Sequence, residues 1–340
     1  MERKEIQNPE QWNRFVRGQP EAQFLQSWEW GEFQHALHRP VVRFGVERDG
    51  KLVAAMQVLV RSHGFGIRSV SVYRGPIISP AVPLTEYTEL HSRLMADLVA
   101  LARRERATLV HVEPPVHVAS PAAQFYAEQQ GLRSVPSDQP QMHWLLSLAP
   151  SVDALRSRLN PKTRYNINLA EKKGVMFNAQ QRSDAVETFL TLTHATARRK
   201  HIHPHPDSYF RTLLETLASS GFAKLYIAEL NGSVLVANIM IIFGDTASYV
   251  HGASSDAARN VMAPHLLQWQ QIVDAKAHGL LWYDFGGIVP DTAVTNHPWY
   301  GISRFKRGFG GEERRFIGGR ERPMRSLLYT LVQFRRRLRR

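Results

Sequence analysis

The sequence predicts a two-lobed α/β protein with a mixed sheet in each lobe, on three observations. The chain has 340 residues, more than one ordinary domain holds. A strand–turn–strand unit occurs twice, and its turns are 231 − 49 = 182 residues apart. A helix followed by a strand that ends in a carboxylate also occurs twice, at Glu113 and Asp284, which are 284 − 113 = 171 residues apart. Two spacings of similar size point to a duplicated domain.

The elements follow in order. Residues Val46 to Val58 read as strand, Asp49-Gly50 turn, strand, and Tyr226 to Ile239 as strand, Asn231-Gly232 turn, strand. Asp-Gly and Asn-Gly supply the left-handed backbone of tight hairpin turns. The neighbours match too: Leu52-Val53-Ala54-Ala55 after the first turn echoes Leu235-Val236-Ala237-Asn238 after the second. Thr85 to Arg104 has helical periodicity, with Leu94, Leu98 and Leu101 on one face, and leads into a strand from Leu109 to Val112. In the other half Pro264 suits a helix's first turn, Leu266, Trp269 and Val273 share a face, and Gly279 suits the C-terminal end. A strand from Leu280 to Tyr283 then ends at Asp284.

Ala122 to Leu132, with Phe125-Tyr126 and Gly131-Leu132, resembles the helix-to-strand passage of the GNAT acyltransferase superfamily. The resemblance implies two tandem GNAT-like acyltransferase domains of α/β (α+β) class. Their expected bounds are 1–148 and 149–317, with a C-terminal helix in 318–340 completing the first.

Composition narrows the chemistry. Forty-three Lys and Arg against thirty Asp and Glu leave a formal charge of +13, a field that attracts phosphate-rich partners. No cysteine is present, which excludes disulfides, thiol catalysis and thiolate zinc sites. Met1 to Arg14 is polar and lacks the apolar core of a signal peptide. The longest apolar run, near Leu235 to Phe243, is far short of the ~20 residues a spanning helix needs. A cytoplasmic protein is expected.

GNAT enzymes hold coenzyme A pyrophosphate on a glycine-rich turn and a helix N-terminus, where free N–H groups favour anions. The corresponding stretches, Ala258 to Pro264 and Ser79 to Pro83, contain no glycine, and Pro264 has no N–H. The fold suggests acyl transfer while the usual donor site is missing.

Longer stretches carry a more specific likeness. They are Gln26-Ser27-Trp28-Glu29-Trp30-Gly31, Tyr73-Arg74-Gly75-Pro76, Arg164 with Ile167, Ala170, Lys172 and Gly174, and Tyr249 with Gly252-Ala253-Ser254. The closest matches are Tyr283-Asp284-Phe285-Gly286-Gly287 and Phe305-Lys306-Arg307-Gly308-Phe309-Gly310-Gly311. On these the chain resembles the Fem family of peptidoglycan bridge-forming aminoacyltransferases, in its short form without a coiled-coil arm. The resemblance implies attack by a stem-peptide side-chain amine of a precursor (lipid II or UDP-MurNAc-pentapeptide) on an aminoacyl-tRNA ester, without cofactor or metal.

It also implies site residues. Lys306 falls on the family's functional lysine and is the expected oxyanion partner, with Phe305 walling the site; a lysine on a solvated basic strand is the alternative. Glu113 falls at the acceptor-site carboxylate, where the family usually has Asp. Tyr249, His251, Arg74, Gln34, His205 and Trp30 are the expected precursor-binding residues. His251 replaces a second family tyrosine, while Gln34 and His205 stand where basic residues are expected, departures that suit a lipid-linked acceptor.

The stretch Lys200 to His205 holds three histidines, but Pro204 breaks regular geometry and no cysteine completes a ligand set. It is read as a solvated loop over the substrate groove. At the C-terminus Leu327, Leu331, Phe334 and Leu338 share a helical face, and Arg335, Arg336, Arg337, Arg339 and Arg340 crowd the end. Such a helix suits peripheral contact with an anionic membrane, RNA phosphates, or docking on the first lobe. Two other functions remain open at this point: a GNAT-type N-acyltransferase using acyl-CoA, and a non-enzymatic basic RNA- or membrane-binding protein.

Overall fold

A computed structural model gives the fold and describes residues 2–20, 23–128, 131–180, 185–256, 258–292 and 295–338. It has two compact units, Met1–Gln141 with Arg315–Arg340, and Met142–Arg314.

Unit 1 is built on β1 (Glu2–Glu5), β2 (Val41–Arg48), β3 (Lys51–Ser62), β4 (Arg68–Tyr73), β5 (Ile77–Ile78), β6 (Leu109–Glu113), β7 (Arg133–Val135) and β15 (Gly319–Pro323). The sheet order is β1-β2-β3-β4-β6-β15-β7, with β5 paired to β3. Its helices are α1 (Pro9–Arg17), α2 (Trp28–Ala36), α3 (Leu84–Arg104), α4 (Pro121–Glu128) and α12 (Ser326–Leu338). Leu94, Leu98 and Leu101 of α3 are buried against Val58, Val70 and Val110 of the sheet, as the helical spacing predicts.

Unit 2 contains β8 (Met142–Ser147), β9 (Met176–Gln180), β10 (Ala223–Leu230), β11 (Ser233–Phe243), β12 (Thr246–Ser254), β13 (Trp282–Gly287) and β14 (Glu312–Arg315). The order is β14-β8-β13-β12-β11-β10-β9. Its helices are α5 (Val152–Ser157), α6 (Pro161–Lys172), α7 (Ala185–Lys200), α8 (Asp207–Leu217), α9 (Ala258–Val261), α10 (Ala263–Ala277) and α11 (Tyr300–Arg307). Asn160 caps α6 by accepting from the Lys162 N–H, and Ile167 and Ala170 on that helix enter the core with Leu266 and Trp269 of α10.

The duplication shows in backbone detail. Both hairpin turns carry two successive left-handed residues, Asp49 (φ 51°) with Gly50 (φ 73°) and Asn231 (φ 50°) with Gly232 (φ 76°). That is the type I′ pattern, whose twist matches the flanking strands. Each hairpin then has a register shift just before its turn, at Val46/Glu47 and at Ala228/Glu229, positions 228 − 46 = 182 apart. The bulge spacing equals the turn spacing, so the two hairpins match residue for residue.

Three boundaries differ from the sequence reading. Unit 2 begins at Met142 rather than 149, because β8 pairs with β13. Unit 1 recovers a strand, β15, as well as a helix from the C-terminal segment, since β15 pairs with both β6 and β7. The strand expected from Leu280 starts at Trp282 and runs through Asp284 to Gly287. Among the described residues, no helix is long and apolar enough to cross a membrane.

Candidate active site

In unit 1 the central parallel pair β4 and β6 stays zipped from Ser69↔Leu109 to Tyr73↔Glu113. In unit 2 the corresponding pair, β12 and β13, is joined only at Thr246↔Trp282, Ala247↔Tyr283 and Ser248↔Asp284. Beyond Ser248, β12 pairs with β11 alone, and a bulge at Val250 of β12, opposite Ile239 and Met240, re-aims Tyr249 to His251. The far end of β12 is tied to α7: Thr196 Oγ1 donates to the Ser254 carbonyl at 3.1 Å, and Arg199 Nη1 donates to it at 2.9 Å. The sheet is therefore open between β12 and β13 in unit 2 and closed at the equivalent place in unit 1.

A cavity of about 130 Å³ lies along the freed end of β12, lined among others by Asn238, Tyr249, Gly252, Gln268 and Phe305. Lys306 stands near it on the last turn of α11, a buried helical position and not the solvated strand of the alternative reading. The lysine is buried, and Nζ donates to the Gly287 carbonyl at 2.6 Å and lies 5.9 Å from the centre of the Tyr249 ring. Burial pulls its pKa down to about 8, while the nearby Asp284 charge works to raise it. Gly286 makes this approach possible. It has φ 73°, and a Cβ there would stand 3.2 Å from the Tyr249 carbonyl oxygen and 3.9 Å from Lys306 Nζ.

Asp284 is the fixed anion behind the lysine. Burial raises its pKa, but the His143 charge and hydrogen bond (2.8 Å from Nδ1), the Gly286 N–H (2.7 Å) and Lys306 outweigh burial and hold it below the usual carboxylate value. Phe305 forms one wall, edge-on to His265 at 5.0 Å and to Phe309 at 5.2 Å. Burial, with the Lys162 charge, lowers the His265 pKa to about 4, so this wall is neutral. Burial also raises the Tyr249 phenol to about 12, keeping it a donor across the physiological range.

His205 and His251 come together, though not on the cavity. His205 stacks on Tyr209 at 4.0 Å, and His251 meets Tyr209 and Phe210 edge-on at 5.7 and 5.1 Å. Burial and the neighbouring His205 lower the His251 pKa to about 3. The two rings form an aromatic cluster with Tyr209 and Phe210 of α8.

Four expected site residues are corrected to buried supports of unit 1. Arg74 is fully buried, donating to the Pro140 carbonyl at 2.6 Å and lying over the Phe316 ring at 4.0 Å. Trp30 packs between Phe24 and Phe33. Gln34 is buried and accepts from Arg39 Nη1 at 2.8 Å, holding that guanidinium in place. Glu113 is buried and already fully engaged. Its Oε1 accepts from His111 Nε2 at 2.8 Å and from the Asp138 N–H at 2.5 Å, and Oε2 accepts from the Gln139 N–H at 3.1 Å. It orders the loop that presents Asp138, a half-exposed carboxylate bonded to the Tyr73 hydroxyl at 2.6 Å.

His111, Glu113 and Asp138 lie within 4.8 Å of one another. They make a poor metal site, because both ring nitrogens of His111 are already bonded to carboxylates, of Glu113 and of Glu321. Sequence reasoning missed Asp138, His143, Asn238 and Gln268. His143 meets Asp284 from 141 residues away, which no local spacing reveals.

Gly252 gives a direct test of the cavity. A Cβ there would overlap the Tyr249 hydroxyl and stand 2.7 Å from Asn238 Oδ1. Gly252→Ala is expected to displace the Tyr249 ring and lower turnover roughly 10–100-fold with little change in melting temperature. Steady-state kinetics beside a thermal melt checks this; wild-type turnover would remove Tyr249 from the site.

A family model described as FemAB matches residues 8–135, 120–239 and 231–337, nearly the whole chain. Lipid II:glycine glycyltransferase of Staphylococcus aureus strain MRSA252 is 21% identical over 411 aligned positions, covering 98% of this chain and 95% of that protein. The alignment is longer than the 340-residue chain, so the relative carries segments this chain lacks. A crystal structure of FemX superposes with a TM-score of 0.86 at 20% identity, covering 98% of this chain and 100% of that one. A tandem GNAT protein from the clavulanic acid biosynthesis pathway superposes at 0.53 with 16% identity, over 84% and 83% of the two chains. The two-lobed α/β fold is thus shared with FemX and with tandem GNAT proteins.

Proposed function

Since the chain belongs to the FemAB family, we propose that it transfers an aminoacyl group from an aminoacyl-tRNA to a side-chain amine of a peptidoglycan precursor, in cross-bridge synthesis. The observation that carries this reading is the opening between β12 and β13, where buried Lys306 reaches the Gly287 carbonyl and the Tyr249 ring, next to a cavity lined by Tyr249 and Phe305. An opening between neighbouring strands leaves backbone N–H and C=O groups unpaired and able to hold an extended acyl group. The helix start next to it, which in a coenzyme A enzyme would hold pyrophosphate, carries Pro264 behind a left-handed Met262 and the short helix α9. Pro264 brings no N–H to that helix start, which weakens it as a pyrophosphate cradle.

In the proposed step, the acceptor amine attacks the ester carbonyl. A C–N bond forms, the ester C–O bond breaks, and the amine's surplus proton neutralises the leaving ribose oxygen. The ester is already activated, so ATP is not required. Protonated Lys306, restrained by the Gly287 carbonyl and balanced by Asp284, supplies positive charge to the carbonyl oxygen as it becomes an oxyanion. Unit 1 takes the precursor. There Asp138, ordered by Glu113, offers a carboxylate, and Arg39, held by Gln34, offers a cation, to charged groups of the precursor. The name of the Staphylococcus aureus relative favours a lipid-linked acceptor. The charge of +13 suits the tRNA and an anionic membrane face alike.

Transfer is expected to require charged tRNA and to fail with acetyl-CoA alone. Product formation followed with each donor in turn checks this. Full activity with acetyl-CoA in the absence of tRNA would overturn the reading.

A further inference from the structure

An amphipathic helix normally turns its apolar stripe inward. Helix α12 does the reverse. Its docked side is Tyr329, Val332, Gln333 and Arg336. Glu321 Oε2 accepts from Tyr329 Oη at 3.1 Å, from Gln333 Nε2 at 3.2 Å and from Arg336 Nη1 at 2.9 Å, and Val332 lines a cavity of about 190 Å³ beneath the helix. Its apolar side faces outward, with Leu327 at 89%, Leu331 at 40% and Phe334 at 58% exposure. Residues 327, 331 and 334 fall on successive turns of one stripe.

A second element of the same unit meets this stripe. The loop between β3 and β4 lifts Phe65 to 84% exposure, and Arg335 of α12 covers its ring at 4.9 Å. Phe65 has φ 52° between Gly64 (φ 78°) and Gly66 (φ 71°). A bulky residue held in the left-handed region is a costly arrangement, and here it buys no burial. Arg335 and Arg325 are exposed beside these apolar groups, and α12 has no acidic residue in its first turn. Side chains of Arg337 and Leu338, and residues Arg339 and Arg340, lie outside the described residues.

We propose that the outward stripe of α12 and the Phe65 loop form one docking surface for an anionic phospholipid bilayer. Phe65, Leu331 and Phe334 enter the headgroup–acyl boundary, and the arginines around them meet lipid phosphates. Charge complementarity decides the occupant: the apolar groups are few, Arg335 lies over the Phe65 ring, and residues 324–340 hold arginines and no acidic residue, which suits an anionic interface and not a core-like protein contact. Its use rests on the lipid-linked acceptor, which stands at such a surface, but the binding itself needs no acceptor.

The test uses the full chain and vesicles of phosphatidylcholine, alone or with about 30 mol% phosphatidylglycerol. Wild-type protein should sediment with the anionic vesicles on the order of tenfold better, and less so at high salt. Phe65→Ser, and separately the pair Leu331→Ser with Phe334→Ser, should each lower that binding about tenfold while turnover on a water-soluble acceptor stays at wild type. Because the chain has no cysteine, Phe65→Cys can carry an environment-sensitive fluorophore, whose emission should shift to the blue on anionic vesicles. Equal wild-type binding to neutral vesicles, variants that bind like wild type, or an unshifted fluorophore would overturn the proposal. So would variants that lose tRNA binding or dissociate a dimer instead. An inactive protein that still binds as described would refute the transfer reaction and leave the docking surface standing.

Discussion

Lys306→Met is expected to lower turnover roughly 10²–10³-fold while leaving precursor affinity nearly unchanged. The substitution keeps the length of the side chain and removes the charge, and a charge aimed at a developing oxyanion acts mainly in the transition state. The pH profile adds a sign. Burial holds the Lys306 pKa at about 8, so the protonated form predominates below that value and is lost above it. Turnover at saturating substrate should therefore decline as pH rises through about 8 in the wild type. The mutant should lack this limb. A rate that climbs through the same range and loses its climb in the mutant would make Lys306 a base. A mutant with wild-type turnover would remove it from the site.

Glu321→Ala is expected to destabilise unit 1 by about 3–5 kcal/mol, the usual result of removing one partner from a buried charge cluster. Glu321 is fully buried, and its carboxylate accepts from His111, Tyr329, Gln333 and Arg336. Without it His111 and Tyr329 keep their burial and lose their partner, and α12 loses its main attachment. The same cluster sets a pH dependence. Burial works to lower the His111 pKa, but hydrogen bonds to Glu113 and Glu321 outweigh it and raise the pKa from 6.5 to about 9. A raised histidine contributes stability fully below its unfolded pKa and loses it as pH climbs through the folded one. Unit 1 should weaken between about pH 6.5 and 9 by roughly 3 kcal/mol, and His111→Leu should flatten that slope. Denaturant melts across this range check both outcomes; a flat wild-type profile would show that His111 is neutral in the fold.

Much of the fold was legible because it is written in local chemistry. Asp49-Gly50 and Asn231-Gly232 announce type I′ turns, and the structure adds a matching bulge one step earlier in each hairpin. Leu94, Leu98 and Leu101 declare the buried face of α3 by spacing alone. The opening between β12 and β13 was not legible, because it depends on Thr196 and Arg199 reaching the end of β12 from a separate helix.

The site divides in the same way. Phe305 and Tyr249 line one cavity and Lys306 lies 5.9 Å from the Tyr249 ring, and all three belong to motif stretches that stand out in the sequence. The Glu113 position was legible as a strand-end carboxylate, but its donors at Asp138 and Gln139 come from a loop with no sequence mark. Arg74 and Trp30 belong to recognisable motifs that serve the core instead of the substrate. For α12 the sequence left membrane contact, RNA contact and docking on the first lobe open. Buried Glu321 requires donors, and the helix satisfies it with Tyr329, Gln333 and Arg336, which leaves Leu327, Leu331 and Phe334 exposed.

The central claim is that an aminoacyl group reaches a precursor amine through the opening in unit 2, and one mass measurement tests it most directly. The protein is incubated with a mixture of aminoacyl-tRNAs and a lipid-linked precursor, and the recovered precursor is weighed and fragmented. The account predicts a gain equal to one or more aminoacyl residues on the stem-peptide side-chain amine, reduced roughly 10²–10³-fold in Lys306→Met. An unmodified precursor, a product carrying an acetyl group, or equal product from the Lys306→Met protein would contradict it.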